Sequence, residues 1–401
     1  MSATSFDPQQ IFSPQVSHGG IVAKVLNSPH KYIQAPGALH NLGLYLKLLN
    51  SRHTATVITS GGENRFGQVI SDSLSKSSIS DTRIIFQGES TLAEIERITG
   101  ELENSNDPID AIVAIGGGKC IDTGRAVAYR MSLPSIICPT TASTDAPCSA
   151  LSVIYNESGE FIEADFYPLN PTLVVVDTKI AAQAPYRYIV SGLGDAMATW
   201  YEARTCFENP DSFSLIGTRP TLVGLAIAEL CAKTLYENAL DAIAAVKNNQ
   251  VNDAVEKIVE ANTLMSGIGF ESCGVAAAHA IGQGFNSFPE IDKKYLHGEM
   301  VAFGLIAHLL LEDRYDEAEK AATFFAKVGL PVHLGQLSFE NPTIEERKKH
   351  AQAALAIPII QNEPFEVTER MVIDIVDHAD KFGRMISKDI GDEPYHSIHS
   401  D

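Results

Sequence analysis

Along the first 180 residues, short apolar runs bounded by turn residues alternate with stretches of helical spacing. Ala111-Ile112-Val113-Ala114-Ile115 is unbroken apolar, the pattern of a strand buried on both faces of a parallel sheet. Gly116-Gly117-Gly118 follows. From Lys119 the spacing turns helical, with Ile121, Ala126 and Val127 on one face and Asp122 in the predicted first turn, where a negative charge suits the helix dipole. Residues 54–59 and 82–87 read as two earlier strands joined through a helix at 64–74, and 91–104 as a further helix with Leu92, Ile95, Ile98 and Leu102 on one stripe. Another short strand is predicted at 133–138, a β-hairpin over 151–167 around Asn156-Glu157-Ser158-Gly159, and a last strand at 172–176. From Tyr188 onward helical periodicity dominates, over 193–207, 222–240, 251–268, 275–285, 297–311 and 315–328. These patterns predict a polar arm over 1–30, an α/β N-terminal domain with a doubly wound, mostly parallel sheet over 31–187, and an all-α C-terminal domain over 188–401. A cleft between the two domains follows from that division.

Composition narrows the class of partner. The chain of 401 residues is ordinary globular in its 45% hydrophobic and 20% charged content, so a large core is available. A formal charge of -20 speaks against nucleic acid or an anionic membrane as partner. Six scattered cysteines without a C-x-x-C pair read as reduced thiols, and the first thirty residues lack the basic and apolar pattern of a targeting segment. No stretch of 18 uninterrupted apolar residues occurs. A cytoplasmic location is the expectation.

Strand, glycine turn and helix together make an anion cradle, because free N–H groups at a helix start can hold a phosphate and Lys119 adds a positive charge. The segment matches neither G-x-G-x-x-G nor the P-loop, so a tight turn without ligand stays open as a reading. The polar loop from Pro139 to Pro147 ends a buried strand, which is where open α/β sheets place ligands. In the helical half, Asp195, His279 and His297 stand in apolar or small-residue surroundings. One carboxylate and two imidazoles are a sufficient donor set for a catalytic divalent metal with an open position. Each also has a structural reading: Asp195 as a helix N-cap, the histidines as hydrogen-bonded core residues. His308, on an apolar helix, reads as core.

Five segments in order, GGGKCIDTGRAVA, PTTASTDAPCSALSVIY, GLGDAMATWYEA, GFESCGVAAAHAIGQG and LHGEMVAFG, resemble the glycerol dehydrogenases of the iron-containing alcohol dehydrogenase superfamily. The likeness covers about residues 30–375. It implies the dehydroquinate synthase-like, iron-type alcohol dehydrogenase architecture, and NAD-linked, metal-dependent oxidation of glycerol to dihydroxyacetone and of related 1,2-diols. By the same resemblance Asp195, His279 and His297 hold the metal, Asp145 contacts the substrate hydroxyls, and Phe270 packs beside them; Asp145 could orient a hydroxyl or assist in relaying its proton, although a loop aspartate before Ala-Pro is also a good turn residue. The cofactor pyrophosphate is expected on Gly117, Gly118 and Lys119, with Asp122, Thr140, Ser143, Ser149, Leu151 and Tyr155 lining the rest of the NAD site. Iron-dependent relatives carry a histidine four residues after the aspartate; Thr199 stands there, which favours one zinc ion per chain. A homo-oligomer, usually an octamer in the family, is implied as well.

Two other readings compete. An enzyme acting on a phosphorylated substrate, such as glycerol-1-phosphate dehydrogenase or dehydroquinate synthase, needs basic residues in the pocket, and the segments around Asp145, Asp195 and His279 are nearly free of Lys and Arg. A non-catalytic nucleotide-binding protein on the same fold would not need the ligand and substrate motifs. In the cofactor site the family's aspartate after the 54–59 strand is replaced by Ser60-Gly61-Gly62-Glu63. Glu63 reaching back to the ribose would favour NAD, and Arg65 turned inward would favour NADP; NAD is the expectation.

Overall fold

A computed structural model describes residues 6–12, 22–105 and 107–399. The predicted arm therefore lies partly outside the described residues. Its later part is not free: Ala23 accepts a hydrogen bond from the Arg219 backbone N–H at 2.8 Å, and the Asn27 N–H donates to Ser272 Oγ at 2.9 Å. The arm thus runs against the helical half.

Six parallel strands form one sheet in the order β1-β8-β5-β4-β2-β3. They are β1 (Lys31–Ala35), β2 (His53–Thr59), β3 (Ser80–Phe86), β4 (Ala111–Gly116), β5 (Ser135–Pro139) and β8 (Leu173–Asp177). The first was not predicted, because Lys31-Tyr-Ile-Gln-Ala35 has no apolar run; it is an edge strand held by pairing with β8. Between them β6 (Leu151–Tyr155) and β7 (Phe161–Phe166) form the expected antiparallel hairpin. Helices α1 (Ser60–Lys76), α2 (Leu92–Glu103) and α3 (Gly118–Arg130) connect the strands, short helical turns being left unnumbered.

The unbroken apolar runs have a direct physical cause. In β4, β5 and β8 alternate residues enter different cores: Val113, Ile136 and Val175 face one layer, whereas Ala114, Ile137 and Val174 face the layer that continues into the helical half. A strand with apolar packing on both sides cannot afford a polar face. Chain order reverses between β2 and β4, since β3 lies outside β2 while β5 and β8 lie beyond β4. Such a switch point opens a crevice at the C-terminal ends of the strands, and the glycine turn after β4 lies there.

Two helix starts differ from expectation. Helix α1 begins at Ser60, with Thr59 accepting from the Gly62 N–H, so Gly61 and Gly62 are helical and not a turn. Helix α3 begins at Gly118, so Asp122 lies beyond its first turn and does not serve the dipole there.

The helical half comprises α4 (Tyr186–Glu208), α5 (Leu222–Val246), α6 (Asp253–Glu260), α7 (Ser266–Cys273), α8 (Ala277–Gly284), α9 (His297–Leu311), α10 (Tyr315–Val328), α11 (Ile344–Leu355), α12 (Glu369–Ile390) and α13 (Glu393–His399). The helix predicted over 251–268 runs without a break through α6 and α7, with a π-helical turn, Ala261–Met265, between them. Among the described residues no single helix is long and apolar enough to cross a membrane.

Helices α4 and α9 approach so closely that a side chain does not fit between them. A Cβ at Gly298 would lie 1.9 Å from the Ser191 carbonyl oxygen, and one at Gly194 would lie 2.1 Å from that of Gly298. This crossing brings Asp195 of α4 beside His297 of α9. Gly298→Ala must separate the helices and is expected to lower stability by about 1–3 kcal/mol. Thermal melting of the metal-free protein checks this, and an unchanged melting temperature would refute it.

Candidate active site

Asp195 sits ten residues into α4, buried to 1% exposure, and so is not a helix N-cap. His279 lies in the first turn of α8 and His297 is the first residue of α9. The three meet: Asp195 Oδ1 is 3.2 Å from His279 Nε2 and 3.4 Å from His297 Nε2. The two imidazole rings are 5.6 Å apart. Glu299 fixes the start of α9 by accepting from the Leu296 N–H at 2.8 Å, and it is clamped by Arg187 at 2.7 Å and by His399 at 3.0 Å.

The donor set fits a divalent cation. Burial disfavours a charge on His279, yet Glu202 and Asp195 outweigh it and raise its pKa well above the ordinary value. Burial likewise opposes ionisation of Asp195, but His297 and His279 hold it below the usual carboxylate range. The surrounding carboxylates thus favour positive charge at the point where the donors converge, and a metal supplies it without a proton.

Asp145 comes to this cluster from the loop after β5. Its backbone N–H donates to Asp195 Oδ2 at 3.2 Å, and its carboxylate accepts from Ser266 Oγ at 2.8 Å. Burial and the neighbouring Asp195 push its pKa well above the usual range. Thr199, four residues after Asp195, turns its hydroxyl to Ser266 at 2.7 Å. Its partner Ser266 is the residue that donates to Asp145. Phe270 is buried on α7, four residues after Ser266 and therefore on the same helical face. The π turn sets this face: Asn262, within it, donates to the Ala142 and Ile189 carbonyls at 2.9 and 3.1 Å, binding the β5 loop to α4.

The expected cofactor residues fall on three adjoining segments at the crevice. Gly117 and Gly118 have no atom within 4 Å of where a Cβ would be, so the helix start is open to a ligand. Lys119 pairs with Glu89 at 2.7 Å and lies over the Tyr155 ring at 4.9 Å, in place of pointing at the glycine turn. The Thr140 N–H donates to the Gly116 carbonyl at 2.9 Å, Ser143 is 3.2 Å from Thr141 by its hydroxyl, and Ser149 is buried and donates to Ala146 O at 3.0 Å. Leu151 opens β6. Asp122 is buried with both oxygens engaged, one by Arg125 at 2.7 Å and one by the Val153 N–H at 3.1 Å. It ties the hairpin to α3, a structural duty that its place in the motif did not disclose. Glu63 is held by Arg83 at 3.3 Å, and Arg65 donates to the Gly61 carbonyl at 3.2 Å.

Sequence reasoning missed Arg125 and Glu202. Buried Arg125 donates to Leu151 O and, at 2.7 Å, to Ala146 O, pinning hairpin and loop together. Glu202 follows Asp195 by seven residues, hence on the same face of α4, and a carboxylate on that apolar face was the available signal. His308 is fully buried as expected, but with partners: Glu363 at 2.9 Å and Glu312 at 3.7 Å.

The sequence profile of the iron-containing alcohol dehydrogenases matches residues 29–178. A glycerol dehydrogenase of Thermotoga maritima is 42% identical over 359 residues, covering 89% of this chain and 97% of the relative. The chain belongs to the iron-containing alcohol dehydrogenase family. Another relative, a glycerol dehydrogenase of Escherichia coli, is 40% identical over 90% of this chain and 98% of its own length. The crystal structure of glycerol dehydrogenase from Schizosaccharomyces pombe superposes with a TM-score of 0.87 at 36% identity, covering 92% of this chain and 93% of that one. The family member described here is thus a dehydrogenase, with the expected parallel sheet followed by helices.

Replacement of either imidazole tests the cluster. His279→Ala and His297→Ala are expected to lose the bound metal in elemental analysis while the far-ultraviolet circular dichroism stays that of a folded protein; retention of stoichiometric metal would refute the ligand set.

Proposed function

We propose that this protein oxidises glycerol to dihydroxyacetone, and related 1,2-diols to the corresponding hydroxyketones, with NAD as hydride acceptor and zinc as the bound metal. The convergence of Asp195, His279 and His297 beside Asp145 carries this reading. Asp195, His279 and His297 would hold a metal that supplies Lewis acidity to a substrate hydroxyl, and NAD would serve as the hydride acceptor. The protein's own groups do the rest. Asp145, held by Ser266, would orient a substrate hydroxyl or relay the proton released as that hydroxyl is oxidised. Phe270 would close the apolar side, and the open helix start at Gly117 and Gly118 would receive the pyrophosphate.

Several observations favour a neutral polyol over a phosphate ester. The charged neighbours acting on Asp145, Asp195 and His279 are carboxylates and imidazoles, so a phosphate would face negative charge. Thr199, engaged with Ser266, favours the three-ligand zinc site over a four-ligand iron site. Six free, buried cysteines suit a reducing cytoplasm, and a homo-oligomer, octameric as in the family, is the proposed assembly. Sedimentation of an active monomer would exclude that assembly.

A panel of glycerol, 1,2-propanediol, ethanol and glycerol-1-phosphate, with metal supplied, tests the substrate. Both diols are expected to exceed ethanol in kcat/KM, and a preference for the phosphate ester would overturn the reading. On the cofactor, NAD is expected to give the higher kcat/KM. Because Glu63 is engaged by Arg83 and a Cβ at Gly61 would meet open space, NADP is expected to be excluded only weakly. Gly61→Asp should then sharpen the preference for NAD, and a wild-type preference for NADP would refute the assignment.

A further inference from the structure

We infer that Glu202 is a positioning residue of the metal centre: its carboxylate holds His279 as the Nδ1–H tautomer and so presents Nε2, with its lone pair free, as the ligand atom. The inference rests on the reading of Asp195, His279 and His297 as metal ligands. Glu202 is fully buried and all of its bonds here go to one short segment. Oε1 accepts from the backbone N–H of Ala276 at 2.8 Å and of His279 at 2.9 Å. Oε2 lies 2.5 Å from His279 Nδ1.

The two backbone donors belong to the beginning of α8, where N–H groups have no partner inside the helix. Their bonds fix the plane of the carboxylate, and the fixed carboxylate then fixes the ring. An ionised carboxylate is acceptor-only, so Nδ1 must carry the hydrogen. The opposite nitrogen points at Asp195 Oδ1, 3.2 Å away, and a cation bound between them would replace the hydrogen that Nε2 otherwise shares with that carboxylate. A carboxylate behind a ligating histidine also makes the imidazole a stronger donor.

A helix cap alone would account for the two backbone bonds but not for the third. Glu202→Gln separates the two roles. With its oxygen on the Ala276 and His279 N–H groups, glutamine keeps the cap and the volume, while its NH₂ faces Nδ1 and selects the opposite tautomer, in which Nε2 carries the hydrogen. The variant, stripped of metal and titrated with zinc against a chromogenic chelator, is expected to bind about 10–100-fold more weakly than the wild type. Its metal-free melting temperature should stay close to that of the wild type, and the visible spectrum of the cobalt-substituted form should change. Zinc affinity and cobalt spectrum equal to the wild type in a folded Glu202→Gln protein would overturn the inference while leaving the ligand set intact. If wild-type protein takes up no divalent metal, the ligand reading fails and this inference with it. Should the variant not fold, a crystal structure of the zinc-loaded wild type decides. Coordination through His279 Nε2 with Nδ1 on Glu202 supports the proposal, and coordination through Nδ1, or a ring turned away from Glu202, overturns it.

Discussion

A single apolar helix carries two carboxylates into the interior, and the site is a consequence of keeping them charged. Asp195 and Glu202 of α4 are at most 1% exposed, where an isolated carboxylate would take up a proton rather than stay ionised. Cationic or hydrogen-bonding partners have to come to them. His279 bridges the pair, His297 approaches Asp195 from α9, and His308 stands behind Glu202 with its own carboxylates, Glu363 and Glu312. Helices α8 and α9 must therefore meet α4 at fixed positions, and the glycines at the α4–α9 crossing permit the approach that this demands.

The cleft belongs to the same arrangement. The β5 loop delivers Asp145 to Asp195 through a backbone N–H, and the π turn delivers Ser266 to Asp145 and Asn262 to Ala142. Sheet and helical half are thereby joined at the point where a substrate would lie. Arg125 and Asp122 secure the other wall, holding the hairpin and the loop to α3. These two buried charges therefore help to fix the shape of the crevice.

Much of this was legible from sequence. The strands with unbroken apolar runs were found because burial on both faces leaves no polar position to confuse the period, whereas β1, an edge strand with Lys31 and Gln34, carried no such signal. Asp195, His279 and His297, which the structure brings together, were readable as candidates because polar residues in alanine- and glycine-rich surroundings are conspicuous. Glu202 was equally conspicuous in composition, but its role depends on a partner 77 residues away that spacing cannot reveal. The start of α1 was misplaced because glycines are ordinarily turn formers; Thr59 overrides that tendency by accepting the Gly62 N–H. Thr199 was read only as the loss of a histidine, and its bond to Ser266 became visible when α7 was placed beside α4.

The π turn at Ala261–Met265 has one further consequence, for how the chain length is counted. Each helical residue advances the facing direction by about 100°. Adding or removing one residue inside the turn would leave α6 and α7 where they are as cylinders yet rotate Ser266 and Phe270 away from the loop that carries Asp145. The turn thus acts as an index mark between scaffold and pocket: changes of length before Asp253 can be absorbed by the loop over 247–252, while between Ala261 and Phe270 the number of residues is itself part of the site.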